Sequence, residues 1–216
     1  MDKWTRRDVV KTGLAASFAA ALPQDLAGRP LPGRQATEAV RPDQTDAAPR
    51  ERLLFDRGWR FQLGHADNSQ RDFGFGQGEE FGKTGEFMVA PSKPDFDDSA
   101  WRAVNLPHDW VVELPFENAP GLVSQGFKPV GREYPATSIG WYRCVFDLPA
   151  SDDGRRLSLE FDGVFRDSIV ALNGVFVGRN LSGYAPFRYD ISDLARYGGR
   201  NVLVVRVDAT EHEGWF

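Results

Sequence analysis

One cysteine in 216 residues excludes an intrachain disulfide and a zinc site built on cysteines. Cys144 therefore reads as a small core residue, since nothing near it in sequence would lower its thiol pKa. Histidine is almost as scarce. His65, His108 and His212 stand far apart without ligand spacing, so no metal and no cofactor is expected in this chain. No apolar run is long enough to span a bilayer stably. The P-loop Lys-Ser/Thr is missing, which argues against nucleotide binding. Basic charge is also short. The formal net charge is -5; residues 1–50 hold 8 Lys/Arg and 6 Asp/Glu, leaving 18 against 25 in the rest, a net of -7. An acidic body of this kind does not suit nucleic acid or an anionic membrane surface. Neutral polar ligands remain open.

The chain opens MDKWTRRDVVKTGLAASFAAALP. Arg6-Arg7 with Lys11 precedes a mildly apolar run, Thr12 to Leu22, and small residues Ala19-Ala20-Ala21 offer a peptidase site before Pro23. Residues 1–22 resemble a twin-arginine export signal, which implies a bacterial periplasmic or secreted destination. Residues 23–50 contain Pro23, Pro30, Pro32, Pro42 and Pro49 and keep no apolar period. They read as a disordered linker, and the folded part is expected over 51–216.

From Gly58 onward the pattern has period two. Trp59, Phe61 and Leu63 alternate with Arg60 and Gln62; Leu157, Leu159 and Phe161 alternate with Ser158 and Glu160. In GWYRCVFDL, Tyr142, Cys144 and Phe146 face one way, and Trp141, Arg143 and Val145 the other. Asn173-Gly174 inside SIVALNGVFVG is a strong hairpin signal, because a type I′ turn needs positive φ at both positions. NVLVVRVDA is a β-branched strand after Gly198-Gly199, and only SDLARYG (192–198) suggests a helical turn, with Ser192 as its cap. Short strands with turn signals about every ten residues predict an all-β antiparallel sandwich. Residues 71–95, rich in glycine, read as a mobile excursion between strands. Trp59, Trp101, Trp110 and Trp141 read as core aromatics, and His108 as a structural histidine beside Asp109.

Five stretches, in order, resemble the N-terminal sugar-binding domain of glycoside hydrolase family 2: LLFDRGWRFQLG (53–64), DFDDSAWRAVNLPHDW (95–110), GWYRCVFDLP (140–149), LSLEFDGVFRDSIVALNGVFVGRNLSGYAPFRYDIS (157–192) and RNVLVVRVDA (200–209). Within the family the pattern looks most like the β-galactosidase branch, as does SQGFKPVGREYPATSIGWYR (124–143). The resemblance implies a jelly-roll β-sandwich, galactose-binding-domain-like, with a β-galactoside-type carbohydrate as partner. It also implies a catalytic (β/α)8 barrel holding two glutamates.

Such a barrel needs about 250 residues, more than 51–216 supplies, so no catalytic residue is assigned here. Mg²⁺ and Na⁺ in family galactosidases are held beyond this domain. What the resemblance does assign is substrate binding by Glu213, two positions before Trp215, with His212 a weaker neighbour. A carboxylate there would accept hydrogen bonds from vicinal sugar hydroxyls. EHEGWF, the end of the sequence, reads as that motif interrupted, before an immunoglobulin-like domain and the barrel. A standalone carbohydrate-binding module is the alternative, and an adhesin-like sandwich without a sugar site a third.

Overall fold

The structure is a computed structural model that describes residues 50–118 and 126–211. The chain divides into two units, Met1–Glu51 and Arg52–Phe216, and every element below lies in the second. Among the described residues eight strands follow in order: β1 (Trp59–Leu63), β2 (Arg102–Val104), β3 (Ile139–Asp147), β4 (Ser158–Phe161), β5 (Ser168–Leu172), β6 (Val175–Asn180), β7 (Phe187–Asp190) and β8 (Arg200–Asp208). One turn of helix, α1 (Trp110–Glu113), separates β2 from β3. Six strands form one sheet in the order β2-β1-β3-β8-β5-β6, and β4 pairs with β7 in a second. All of these pairings are antiparallel.

The centre of the large sheet is the β3–β8 ladder, nine residue pairs from Ile139↔Asp208 to Asp147↔Arg200. Its strands are buried on both faces, which explains their near-continuous apolar sequence. Tyr142, Cys144, Leu203 and Val205 face the small sheet, meeting Leu159, Phe161, Phe187 and Tyr189. Trp141, Val202 and Val204 face the other way and meet Phe73, Phe75, Phe87, Val89 and Phe96. The expected alternation therefore holds, and the four tryptophans at 59, 101, 110 and 141 are core residues. The thiol of Cys144 is buried, and burial pushes its pKa up to about 12. The β5–β6 hairpin turns at Asn173 and Gly174 with φ of 54° and 80°, as the type I′ signal requires.

The glycine-rich segment departs from expectation. It is no loose excursion, since Asp72, Phe87, Val89 and Ser92 are buried in it. Two buried arginines of the central strands hold it down. Arg206 on β8 sits opposite Trp141 in the ladder. Its guanidinium donates to Asp72 Oδ2 from Nε (3.0 Å) and Nη2 (2.8 Å), while Trp141 Nε1 donates to Asp72 Oδ1 (2.6 Å). Arg143 on β3 donates to the carbonyls of Pro91 (3.0 Å) and Lys93 (3.2 Å) and pairs with Asp98. Gly64 is needed here, because a Cβ would collide with Asp72 Oδ1 and lie 2.8 Å from Trp141 Nε1.

Two local readings change. SDLARYG makes a single turn in which Leu194 and Ala195 donate to the Ile191 carbonyl. The Ser192 hydroxyl does not cap it: Oγ accepts from Leu157 N (2.9 Å) and donates to Asp190 (2.6 Å). The helix is instead α1, capped by Asp109, whose carboxylate accepts from Val111 N at 2.9 Å. His108 is structural, as expected, but its partners are Tyr142 (Nδ1 to Oη, 2.8 Å) and Arg102 (Nη2 to Nε2, 2.6 Å) rather than Asp109. An Nε2 that accepts from a guanidinium is unprotonated, which puts the proton on Nδ1.

Cutting one end of the buried ion pair strands the other charge, at a cost of about 3–5 kcal/mol. Asp72→Ala is expected to lower unfolding free energy in urea by about that amount. Replacing both partners with apolar residues (Asp72→Leu with Arg206→Met) is expected to cost much less. An Asp72→Ala loss within the surface range of about ±0.5 kcal/mol would remove the pair from its central role.

Burial, more than any neighbouring charge, holds the His108 pKa below its ordinary 6.5; Glu113 and Asp109 pull it up, and Arg102 pushes it further down. The unfolded chain then takes up the proton first. The contribution of His108 is fully present above about pH 6.5 and is lost as pH falls from there through the folded value. Glu113, held low by Arg102, titrates below its ordinary 4.5. Between pH 7.5 and 5.5 the urea midpoint should therefore fall, and fall less in His108→Gln. Equal pH slopes in the two proteins would contradict this.

Candidate functional site

β8 lies between β3 and β5, antiparallel to both. The loops that lead into β3 and β5 must therefore meet at the end where β8 stops. The sequence placed its candidate residues just past that point, and the geometry there is well defined.

The loop before β3 is braced from within. Ser138 Oγ accepts from Gly131 N (2.8 Å) and donates to Tyr134 O (2.7 Å), and Thr137 donates to the Pro129 carbonyl. It carries Arg132, whose Nε and Nη2 donate to Glu211 Oε1 at 2.9 and 2.6 Å. The loop before β5 carries Arg166, whose Nη1 donates to the Glu211 carbonyl at 3.2 Å. In the same loop, the carbonyls of Arg166 and Asp167 both accept from Asp208 N, at 3.2 and 3.1 Å. Ala209 N donates to Ser138 O at 2.8 Å. Asp208 turns the chain: its Oδ1 accepts from Thr210 N (3.0 Å) and Thr210 Oγ1 (2.6 Å), a local side-chain turn. Its other oxygen accepts from Arg206 Nη1 at 3.2 Å. Arg179 grips Asp167 through two 2.6 Å bonds.

The result is a polar rim of Arg132, Arg166, Asp208, Thr210 and Glu211 around the point where the chain leaves the sheet. Glu213 and His212, the residues the sequence singled out, lie outside the described residues. The rim residues themselves escaped the sequence reading. Asp208-Ala-Thr210 carried a turn signal, but Arg132 and Arg166 become neighbours of Glu211 only once the strand order is known.

Elsewhere the described residues offer less. An open cleft of about 370 Å³ lies at the other end of β8, lined by Asp153, Arg156, Asp190, Asp193 and Tyr197 among others. Asp190 there is engaged by Ser192 and Arg156. Among the described residues no group of three or more His, Cys, Asp or Glu could hold a metal ion, and no helix is long and apolar enough to cross a membrane.

Residues 135–215 match the family model for the glycosyl hydrolase 2 galactose-binding domain-like domain. The chain is 34% identical over 165 residues to a β-galactosidase of Bacteroides ovatus, an alignment covering 76% of this chain and 16% of that protein. It is 38% identical over 117 residues to a putative β-glucuronidase of Formosa agariphila, covering 54% of this chain and 11% of that one. A solved β-glycosidase from Bacteroides vulgatus is 28% identical with a TM-score of 0.51, over 73% of this chain and 17% of that chain. The chain thus spans less than a fifth of the length of these relatives. Family model and relatives agree: the sandwich is similar to the galactose-binding domain-like N-terminal domain of glycosyl hydrolase 2 proteins.

Proposed function

We propose that this chain is the sugar-binding jelly-roll domain of an exported β-galactosidase, and that it contributes recognition without catalysis. The observation that carries the reading is the 34% identity to the Bacteroides ovatus β-galactosidase across 165 residues. Retaining hydrolysis needs two carboxylates about 5–5.5 Å apart, which the resemblance puts on a barrel. The described residues from 52 to 211 belong to the sandwich, so on this reading the catalytic pair belongs to another domain.

The part played by this domain is to bring Glu213, with His212 beside it, to the sugar. A carboxylate is an acceptor only, and vicinal hydroxyls are paired donors, so the two match with charge-assisted bonds. The β-glucuronidase relative supports a second reading, with a glucuronide as substrate. Against it, a uronate brings its own negative charge toward Glu213 and would need a compensating cation. The same proposal includes export: Arg6-Arg7 and Lys11 ahead of the short apolar run make residues 1–22 a twin-arginine leader, sending the enzyme to the periplasm or medium.

The test compares two proteins. Purified residues 51–216 should not hydrolyse nitrophenyl β-galactoside and should bind galactose weakly or undetectably. The longer polypeptide carrying this domain should turn over the galactoside in preference to the glucuronide. There Glu213→Gln should cost about 10- to 100-fold in kcat/KM, the worth of one hydrogen bond to a charged group. Turnover by 51–216 itself would overturn the division of labour, and micromolar galactose affinity would favour a standalone module. For export, residues 1–50 fused to a folded reporter should carry it out of the bacterial cytoplasm. Arg6→Lys with Arg7→Lys should abolish this, and export that survives the double change counts against the leader.

A further inference from the structure

Beside the rim lies an aromatic corner. Nine large apolar side chains stand exposed among the described residues, and three of them, Phe165, Leu181 and Tyr184, sit in two facing loops. Those loops are 162–167, between β4 and β5, and 181–186, between β6 and β7. Ser168 pairs with Val207 on one side and Asn180 on the other, which puts both loops at the end where β8 stops. Phe165 directly precedes Arg166 of the rim. Its ring meets that of Tyr184 edge to face, with centroids 5.6 Å apart and planes at 68°.

Both loops are braced. Arg179 holds Asp167 through two 2.6 Å bonds. Asn180 Nδ2 donates to the Ser182 carbonyl at 2.7 Å, and Tyr184 N donates to Ser182 Oγ at 3.4 Å. Gly183 lies so close to Phe165 that a Cβ there would collide with the ring. The rings are thus held out in solvent, although burying them would be favourable. Exposed apolar side chains that cluster, unlike scattered ones, mark contact surfaces or ligand grooves.

Size and neighbours select the occupant. Phe165 is 50% exposed and Tyr184 75%, so the two rings present no more than about 300 Å². A stable protein interface takes about 800 Å² from each partner. Asp162 and Ser182 are exposed in the same loops, and an alkyl chain gains nothing from them. A pyranose matches both features, because it has an apolar C–H face for a ring and hydroxyls around its edge for a carboxylate or a hydroxyl.

We propose that Phe165 and Tyr184 form an aromatic platform that seats one pyranose unit of an oligosaccharide. The identity of that unit as galactose rests on the β-galactosidase reading, whereas the platform rests on the described loops alone.

The experiment titrates the full 216-residue chain with a β-linked galactotriose and follows backbone amide shifts by NMR. Shifts are expected at Phe165, Gly183 and Tyr184. Phe165→Ala and Tyr184→Ala should each raise the dissociation constant about 2- to 10-fold, the range of one aromatic contact. Gly183→Ala keeps both rings but displaces Phe165, and should weaken binding in the same way, which a merely sticky patch would not show. Phe116→Ala, at a site 64% exposed elsewhere, is the control and should change nothing. Cellotriose binding at these loops in place of galactotriose keeps the platform and removes galactose. No shift with either trisaccharide, affinity indifferent to Tyr184→Ala or Gly183→Ala, or self-association of the chain through these rings overturns the platform. The β-galactosidase reading is judged separately, by turnover of the nitrophenyl galactoside.

Discussion

The buried pair between Arg206 and Asp72 is the constraint on which the rest of this domain depends. A guanidinium in the middle of a two-faced sheet is tolerable only if its charge is met and its donors are used. Asp72 meets it through one carboxylate oxygen and receives Trp141 Nε1 on the other. That single requirement pulls a long glycine-rich segment onto the sheet. The segment then brings Phe73, Phe75, Phe87 and Val89 with it, and these cover the face that the small sheet leaves bare. Arg143, two ladder positions along, repeats the device on Pro91, Lys93 and Asp98. A six-stranded sheet with only a two-stranded partner layer would otherwise expose half its apolar surface. The loop supplies the missing cover, and the arginines keep it in register.

The same guanidinium links the core to the rim. Arg206 Nη1 reaches Asp208, Asp208 sets the turn through Thr210, and Glu211 follows into the grip of Arg132 and Arg166. A continuous polar path therefore runs from a buried charge in the sheet to the last described residue. The effect is mechanical. The end of β8 is thus anchored by its own Arg206 and Asp208 and by the neighbouring loops.

How much of this the sequence disclosed follows from which interactions are local. Period-two patterning located the strands because each strand writes its own alternation, as in Trp59-Phe61-Leu63. The Asn173-Gly174 turn was legible for the same reason, since its φ requirement sits in two adjacent residues. Arg143 and Arg206 were opaque, because charged residues are almost never fully buried unless paired, and Asp72 stands 134 residues from Arg206. The glycine-rich segment misled for a related reason: its glycines mark turns, but its anchoring needs Arg143 and Arg206, which lie far from it in sequence. Helix α1 is a single turn, too short to write a period in the sequence. In the rim, Asp208-Ala-Thr210 was readable as a turn, whereas the convergence of Arg132 and Arg166 depends on β8 standing between β3 and β5.

The acids of the described rim are engaged with the backbone and with arginines. Catalytic carboxylates need contrasting environments that drive their pKa values apart. Most of the acids at this rim serve the backbone or an arginine instead: Asp208 turns the chain, Asp167 holds Arg179 and Glu211 holds Arg132. Each is spent on geometry. Such contacts fix the backbone where the chain leaves β8, as far as Glu211. The recognition role proposed for Glu213 would leave these engagements intact.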